Sequence, residues 1–445
     1  MTMPPAVTLK RTLSAFHLWG IAVGLVISGE YFGWSYGWAQ AGTLGFLVTT
    51  CLVAAMYLAF IFSFTELTVA IPQAGGPFAY AHRAFGPIGG AVAGFATLVE
   101  FLFAPPAIAL AIGAYLHVQF PGISPQLFAG GAFAVFVALN IVGVKIAATF
   151  ELVVTLLAVF ELLVFMGVVA PAFEWANFTR GGWAGADTFT AGAVPGILAA
   201  VPFAIWFFLA IEGVALAAEE ARDPARTIPV AYLAGIGTLT LLAFGVMILA
   251  GGSGEWTRLA NLNDPLPQAM AGVVGRSSGW LHMLVWLGLF GLVASLHGII
   301  MGYARQMFAL ARAGYLPVIL GRIHPTLQTP HIATLAGAIV GIGAIMADAR
   351  FSLAGQPLTA NLVIVSAFGA LATYMVSMAS LFRLRRREPA LARSYLAPFY
   401  PATPAFALIL ATGAFATMAW SNPLLCACFV AIVGIAVVVS ARGKT

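Results

Sequence analysis

Two stretches decide how this chain is read: Gly24-Leu25-Val26-Ile27-Ser28-Gly29-Glu30-Tyr31-Phe32-Gly33 and Pro202-Phe203-Ala204-Ile205-Trp206-Phe207-Phe208-Leu209-Ala210-Ile211-Glu212-Gly213. Each lies inside an apolar run long enough to cross a bilayer, for which about 20 residues suffice. Each also carries helix-weakening glycine or proline beside an acid. Around them the 445 residues are 61% hydrophobic and 8% charged, and the mean hydropathy is +0.99. A soluble domain carries roughly 25% charged residues, so a water-facing surface is excluded and a bilayer is implied. Strand-type alternation is absent, and lipid demands that each segment satisfy its own backbone, which leaves helices.

Apolar runs recur at 14–40, 43–71, 87–117, 126–143, 149–170, 194–218, 229–251, 279–310, 331–347, 360–382, 403–420 and 423–441. The fold class is therefore an all-α membrane protein of about twelve spans, the first and sixth interrupted. Interruptions at matching places in two five-span halves point to unwound helices framing a substrate site near the midplane, the arrangement of a carrier. Residues 1–13 then form an N-terminal tail, 14–171 a first repeat, 194–383 a second, and 403–441 two added spans, all within one transport domain.

Sixteen of the twenty Lys and Arg residues fall on one set of loops, among them Lys10, Arg11, Arg83, Lys145, Arg383, Arg385, Arg386, Arg387, Arg393, Arg442 and Lys444. Only Arg180, Arg258, Arg276 and Arg350 fall on the other. This bias places both termini in the cytoplasm. It also explains the pI of about 9.2 without a nucleic-acid partner; the Arg383–Arg387 cluster beside a span end could also touch anionic membrane lipid, orientation being the plainer reading. Cys51, Cys426 and Cys428 lie in apolar runs and form neither a disulfide framework nor a metal-binding spacing. The histidines are scattered, with no His-Glu-x-x-His spacing, so an enzyme is not indicated. Paired broken helices argue against a channel.

Several blocks carry a resemblance. They are Glu66-Leu67 with Pro72-Gln73-Ala74-Gly75-Gly76-Pro77, Tyr80 and Phe85-Gly86-Pro87; Glu212-Gly213 with Ala218-Glu219-Glu220, Asp223-Pro224, Arg226 and Ile228-Pro229; and Arg305 with Phe308-Ala309-Leu310-Ala311-Arg312, Gly314 and Leu316-Pro317. Across essentially its whole length the chain resembles the amino acid–polyamine–organocation superfamily. Within it the ethanolamine permeases are most similar, through Ile27-Ser28-Gly29-Glu30-Tyr31-Phe32-Gly33-Trp34, Phe103-Ala104-Pro105-Pro106-Ala107-Ile108-Ala109 and His297-Gly298-Ile299-Ile300-Met301-Gly302-Tyr303-Ala304-Arg305-Gln306. The resemblance implies a five-plus-five inverted repeat like that of the leucine transporter, with two extra helices. It also implies alternating access around the first and sixth spans, in a bacterial cytoplasmic (inner) membrane.

Charge points independently to a cationic substrate. Glu30, Glu66, Glu100, Glu151, Glu161 and Glu212 fall within spans, whereas no Lys or Arg lies comparably deep. An ionisable group at such depth costs a few kcal/mol and has a partner or a function. An ammonium ion would supply the missing positive charge. Glu66 and Glu212 belong to the superfamily-wide blocks and are expected to serve architecture; Glu151 lies about one turn into the fifth span. Glu30 is the expected counter-ion, joined by carbonyls freed at the first break, with Glu100 second.

The expected substrate-binding set is thus Ser28, Gly29, Glu30, Tyr31, Glu100, Trp206, Phe207 and Glu212, the aromatic rings offering cation–π faces. No cofactor or metal is indicated. The coupling ion stays open between proton and sodium: Ser295 offers a hydroxyl and His297 a group that titrates near neutrality. The lysine that some proton-coupled relatives carry on the fifth span is replaced by Ala158. Ethanolamine uptake is the leading reading, and an amino-acid permease of the same superfamily is the alternative. A zwitterion would bring a carboxylate that an anionic Glu30 repels, which favours the amine.

Overall fold

Apolar runs of this length fold as helices inside a bilayer, and the computed structural model shows where they are interrupted. It describes all residues except 1–10, 74, 143–146, 349, 351, 354 and 443–445. Lys10, Ala74, Lys145 and Lys444, used above, therefore lie outside the described residues. The chain runs through α1 (Ala15–Val26), α2 (Ser28–Tyr31), α3 (Trp34–Ala70), α4 (Pro77–Gln119), α5 (Pro125–Val142), α6 (Ala147–Val169), α7 (Trp175–Thr179), α8 (Val194–Ala199) and α9 (Val201–Trp206). A 3-10 segment, Ile211–Glu220, follows. Then come α10 (Pro224–Gly252), α11 (Pro265–Val274), α12 (Gly279–Arg312), α13 (His331–Asp348), α14 (Leu358–Arg387), α15 (Ala402–Ser421) and α16 (Pro423–Arg442). Among the described residues the only strands are Ser352–Leu353 and Gln356–Pro357, a two-residue antiparallel pair.

Eleven helical segments are long and apolar enough to cross a membrane, and the shorter apolar stretch Ala15–Tyr31 supplies the first span. The twelve expected runs thus all appear, with edges moved by a few residues. Two long helices hide bends: α3 turns at Gly42 (φ +69°) and α4 at Gly86 (φ +78°). The sequence reading did not anticipate α11 or the short α7, which occupy the loops of the face opposite the basic one.

Helix α4 runs through the middle, packed against α14, α12 and α5, while α1 packs on α10 and α6. The α15–α16 pair stays peripheral. It exposes Ile409, Trp420, Ile435 and Val439, apolar side chains that only lipid solvates well.

One sequence expectation needs correcting here. Glu66 is not without a basic partner. Arg385 Nε donates to its Oε1 at 2.8 Å, Arg393 Nε lies 3.2 Å away, and the Ala397 amide donates to Oε2 at 2.8 Å. The arginines reach Glu66 from the end of α14 and the loop after it, a distance in sequence that no local pattern reveals. Arg385 also lies over the Tyr400 ring at 3.8 Å. Outside the spans, Arg83 pairs with Glu388 and holds that carboxyl below the usual carboxylate range. Glu66 is therefore an anchor that ties α3 to the basic loop, as its architectural assignment anticipated. Replacing it (Glu66→Gln) leaves two guanidinium groups without their counter-charge and should cost about 3 kcal/mol, read as a lowered melting temperature of the purified protein.

Candidate functional site

The first break follows from two residues. Phe32 is fully extended (φ −159°, ψ −179°), and Gly33 takes φ +94°, a conformation open to glycine and closed to most side chains. The second break begins where α9 ends at Trp206. Ala210 sits in the left-handed region (φ +75°), and the chain continues as the 3-10 segment. The two breaks touch. A Cβ on Gly29 would collide with the Trp206 carbonyl and the Phe207 backbone, and one on Gly33 would collide with the Trp206 indole. Glycine at 29 and 33 is thus what lets the first span's backbone lie directly on the sixth.

Unwinding frees backbone groups that lipid cannot satisfy. Side chains take them up. Ser295 on α12 donates to the Gly24 carbonyl at 2.7 Å and accepts from the Ser28 amide at 3.0 Å. Trp34 Nε1 donates to the Glu30 carbonyl at 2.9 Å, and the Tyr115 hydroxyl to the Tyr31 carbonyl at 3.0 Å. The Tyr31 hydroxyl in turn donates to the Ala158 carbonyl on α6 at 3.1 Å. The Gly24, Glu30 and Tyr31 carbonyls of the first break each thus have one donor within the protein, and the full negative charges nearby are carboxylates.

Those carboxylates are buried. Glu30, Glu100 and Glu161 are 0% exposed, and none of their oxygens has a hydrogen-bond partner within the protein. Glu161 faces inward, close to the Tyr31 hydroxyl, which settles a direction that its sequence neighbours left open. Glu100 and Glu212 face each other. Two facing carboxylates repel when both are ionised, so the pair calls for a proton or a cation. Glu212 also accepts from the Tyr374 hydroxyl at 2.9 Å, itself 3.2 Å from the Tyr57 hydroxyl. This tyrosine pair escaped the sequence reading; the sole signal was two hydroxyl groups inside apolar runs.

The aromatic members of the expected set serve chiefly as walls. Tyr31 packs against Gly288 and Gly291. Trp206 is 2% exposed, set edge-on to Phe32 with ring centroids 5.4 Å apart. Phe207 stands 6.1 Å from Phe46. Of the two coupling candidates, Ser295 holds the first break together, as described. His297 accepts at Nδ1 from Asn140 at 3.0 Å, between the rings of Phe136 and Phe150.

The two faces differ. On the side of α11, Trp38 stacks edge-on to both Trp34 and Trp256, at 4.6 and 6.2 Å. There Ser35 donates to the Leu262 carbonyl at 2.7 Å, and Tyr36 to Asn263 at 2.5 Å. Asn263 continues to Thr359 at 3.3 Å, and Thr359 to Asp348 at 3.2 Å. On the basic face, the amides of Thr12 and Leu13 both donate to the Glu220 carbonyl at 2.9 Å, tying the start of α1 to the end of the 3-10 segment. Beside that tie a small cavity opens between α1, α4, α6, α12 and the 3-10 segment. Among the expected site residues, only His297 lines it.

Broken spans in contact, closed on one side and cavitated on the other, are the anatomy of a carrier, and comparison with known proteins agrees. The amino acid permease profile matches residues 13–442. The chain belongs to the amino acid permease family. Among the permease's relatives, an uncharacterised transporter of Rhizobium meliloti is 30% identical over 424 residues, covering 93% of this chain and 87% of that protein. A branched-chain amino acid permease of Bacillus subtilis is 23% identical and covers 93% and 89%. A low-affinity putrescine importer of Escherichia coli is 27% identical over 300 residues, 65% and 64% of the two chains. The permease is thus a multi-pass membrane transporter of the amino acid–polyamine–organocation superfamily, and not an enzyme.

The contact between the breaks gives a test. Gly29→Ala should cost about 1–3 kcal/mol through overpacking and abolish transport, whereas Gly130→Ala, with open space around it, should leave melting temperature and uptake unchanged or slightly improved.

Proposed function

We propose that this permease takes up ethanolamine, as the ethanolammonium ion, by alternating access across a bacterial cytoplasmic membrane. The observation that carries the reading is the set of buried carboxyl oxygens around the two breaks with no hydrogen-bond partner: both oxygens of Glu30, Glu100 and Glu161, and Oε1 of Glu212. An ammonium ion offers three donors and one positive charge to such a set, at a depth where an unneutralised acid is costly. Glu30 at the first break is the proposed counter-ion, with the facing Glu100 and Glu212 at the second. Ser28, Gly29, Tyr31, Trp206 and Phe207 complete the site as its backbone and walls.

The same reading assigns residues 14–171 and 194–383 to two inverted repeats, with 403–441 added. It places both termini and the basic loops in the cytoplasm. The sealed face is then external and the cavity lies on the cytoplasmic side, while Glu30, Glu100 and Trp206 stay buried away from both faces. The rival substrate, an amino acid, draws support from the branched-chain amino acid permease among the relatives. A zwitterion, however, brings a carboxylate into a site already rich in them.

Proteoliposome uptake decides between the two. Labelled ethanolamine should enter and should resist displacement by excess alanine or arginine; strong displacement by either overturns the amine reading. Glu30→Gln should weaken ethanolamine binding by about tenfold or more, the worth of a charge-assisted hydrogen bond, as measured by ligand-induced thermal shift. Unchanged affinity would make Glu30 structural.

A further inference from the structure

The cavity on the basic face holds an acid that the helix breaks do not use. Its walls include Leu25 of α1, Phe101 of α4, Glu151 of α6, Glu220 of the 3-10 segment, and His297 and Arg305 of α12. Glu151 is 6% exposed, and its Oε1 has no hydrogen-bond partner. That oxygen lies against Gly24, a residue of the span that breaks one turn later, and near Gly298. The charges around the cavity leave a negative balance. Arg305 balances the charge of Glu220, 4.0 Å away, in a long, half-exposed pair. His297 is hydrogen-bonded at Nδ1 to Asn140. Glu151 is left with no partner at Oε1, and the Phe101 side chain lines the same cavity.

We propose that this cavity is a second ammonium subsite, with Glu151 as its counter-ion, where the substrate pauses between the helix breaks and the cytoplasm. It rests on the amine reading given above. The chemistry is that of a small organic cation: one positive centre for the Glu151 carboxylate, a ring face for the ammonium or its neighbouring methylenes, and polar mouth groups for a hydroxyl. The facing acids at the breaks and Glu151 then form two successive stations, so that a cation leaving the first is not released into a wholly apolar passage.

Site-directed labelling reads occupancy of the cavity directly. Cys51, Cys426 and Cys428 are replaced by Ala, and Met301→Cys places a thiol on the cavity wall. Ethanolammonium chloride should slow maleimide labelling of this protein, whereas ethylene glycol, which keeps the hydroxyl but lacks the charge, should not. Adding Glu151→Gln should raise the half-protecting concentration about tenfold or more, and Glu151→Asp, which keeps the charge, should retain part of the protection and so control for folding. Protection that is unchanged by Glu151→Gln, or absent in the Met301→Cys protein, overturns the subsite. Ethanolamine uptake by the same Met301→Cys protein is followed in parallel. Uptake without protection removes the subsite and keeps the amine reading; Glu151-dependent protection without uptake keeps the subsite and removes the transport reading.

Discussion

Inside a bilayer a helix cannot be broken cheaply, because every amide and carbonyl released must find a partner within the protein. Much of this permease is arranged around that constraint. Ser295 bridges the Gly24 carbonyl and the Ser28 amide, Trp34 and Tyr115 cap the next two freed carbonyls, and each of these side chains comes from a helix packed around the break. The second break rests on the first through glycine: the Trp206 carbonyl lies where a side chain on Gly29 would be. The unwound segments are thus rigidly held, which suits a site that must present its groups at fixed positions.

Satisfying the backbone with neutral donors has an electrostatic consequence. Three carbonyl oxygens of the first break already have a donor, so the full negative charge near the breaks resides in carboxylates. These divide by their partners. Glu66 has two arginines and a backbone amide and acts as a clamp between α3 and the basic loop. Glu30, Glu100 and Glu161 have no such partners. A buried acid with its counter-charge supplied by the protein is architecture, and one without it awaits a proton or a cation.

The asymmetry of the two faces gives this charge a direction. Tryptophan rings and a hydrogen-bonded run from Tyr36 to Asp348 close the α11 side. On the basic side the start of α1 is tied at the rim, where Leu13 meets Glu220 and Ala221, and a cavity lies beside the tie. Among the charged pairs there, Arg305 with Glu220 is long and half-exposed, an interaction worth little in stability and correspondingly easy to part.

The sequence by itself determined the twelve spans, because hydropathy and length are local properties that lipid reads directly. It also pointed to the two spans that break: Gly33 acts on its own backbone (φ +94°), whereas the second break falls at Ala210, beyond Pro202. It marked Glu30 and Glu100 as buried acids for the same reason: an acid within an apolar run is visible in one dimension. Only the tertiary structure decided which acids are neutralised. Arg385 and Arg393 lie more than 300 residues from Glu66, and the facing of Glu100 and Glu212 joins the third span to the sixth. Likewise Glu151 read as an acid one turn into its helix, and packing alone placed it on a cavity wall. Pairing of charges depends on which helices are neighbours, and in a chain whose spans are nearly uniform in composition, that neighbourhood is set by three-dimensional packing and not by any local pattern.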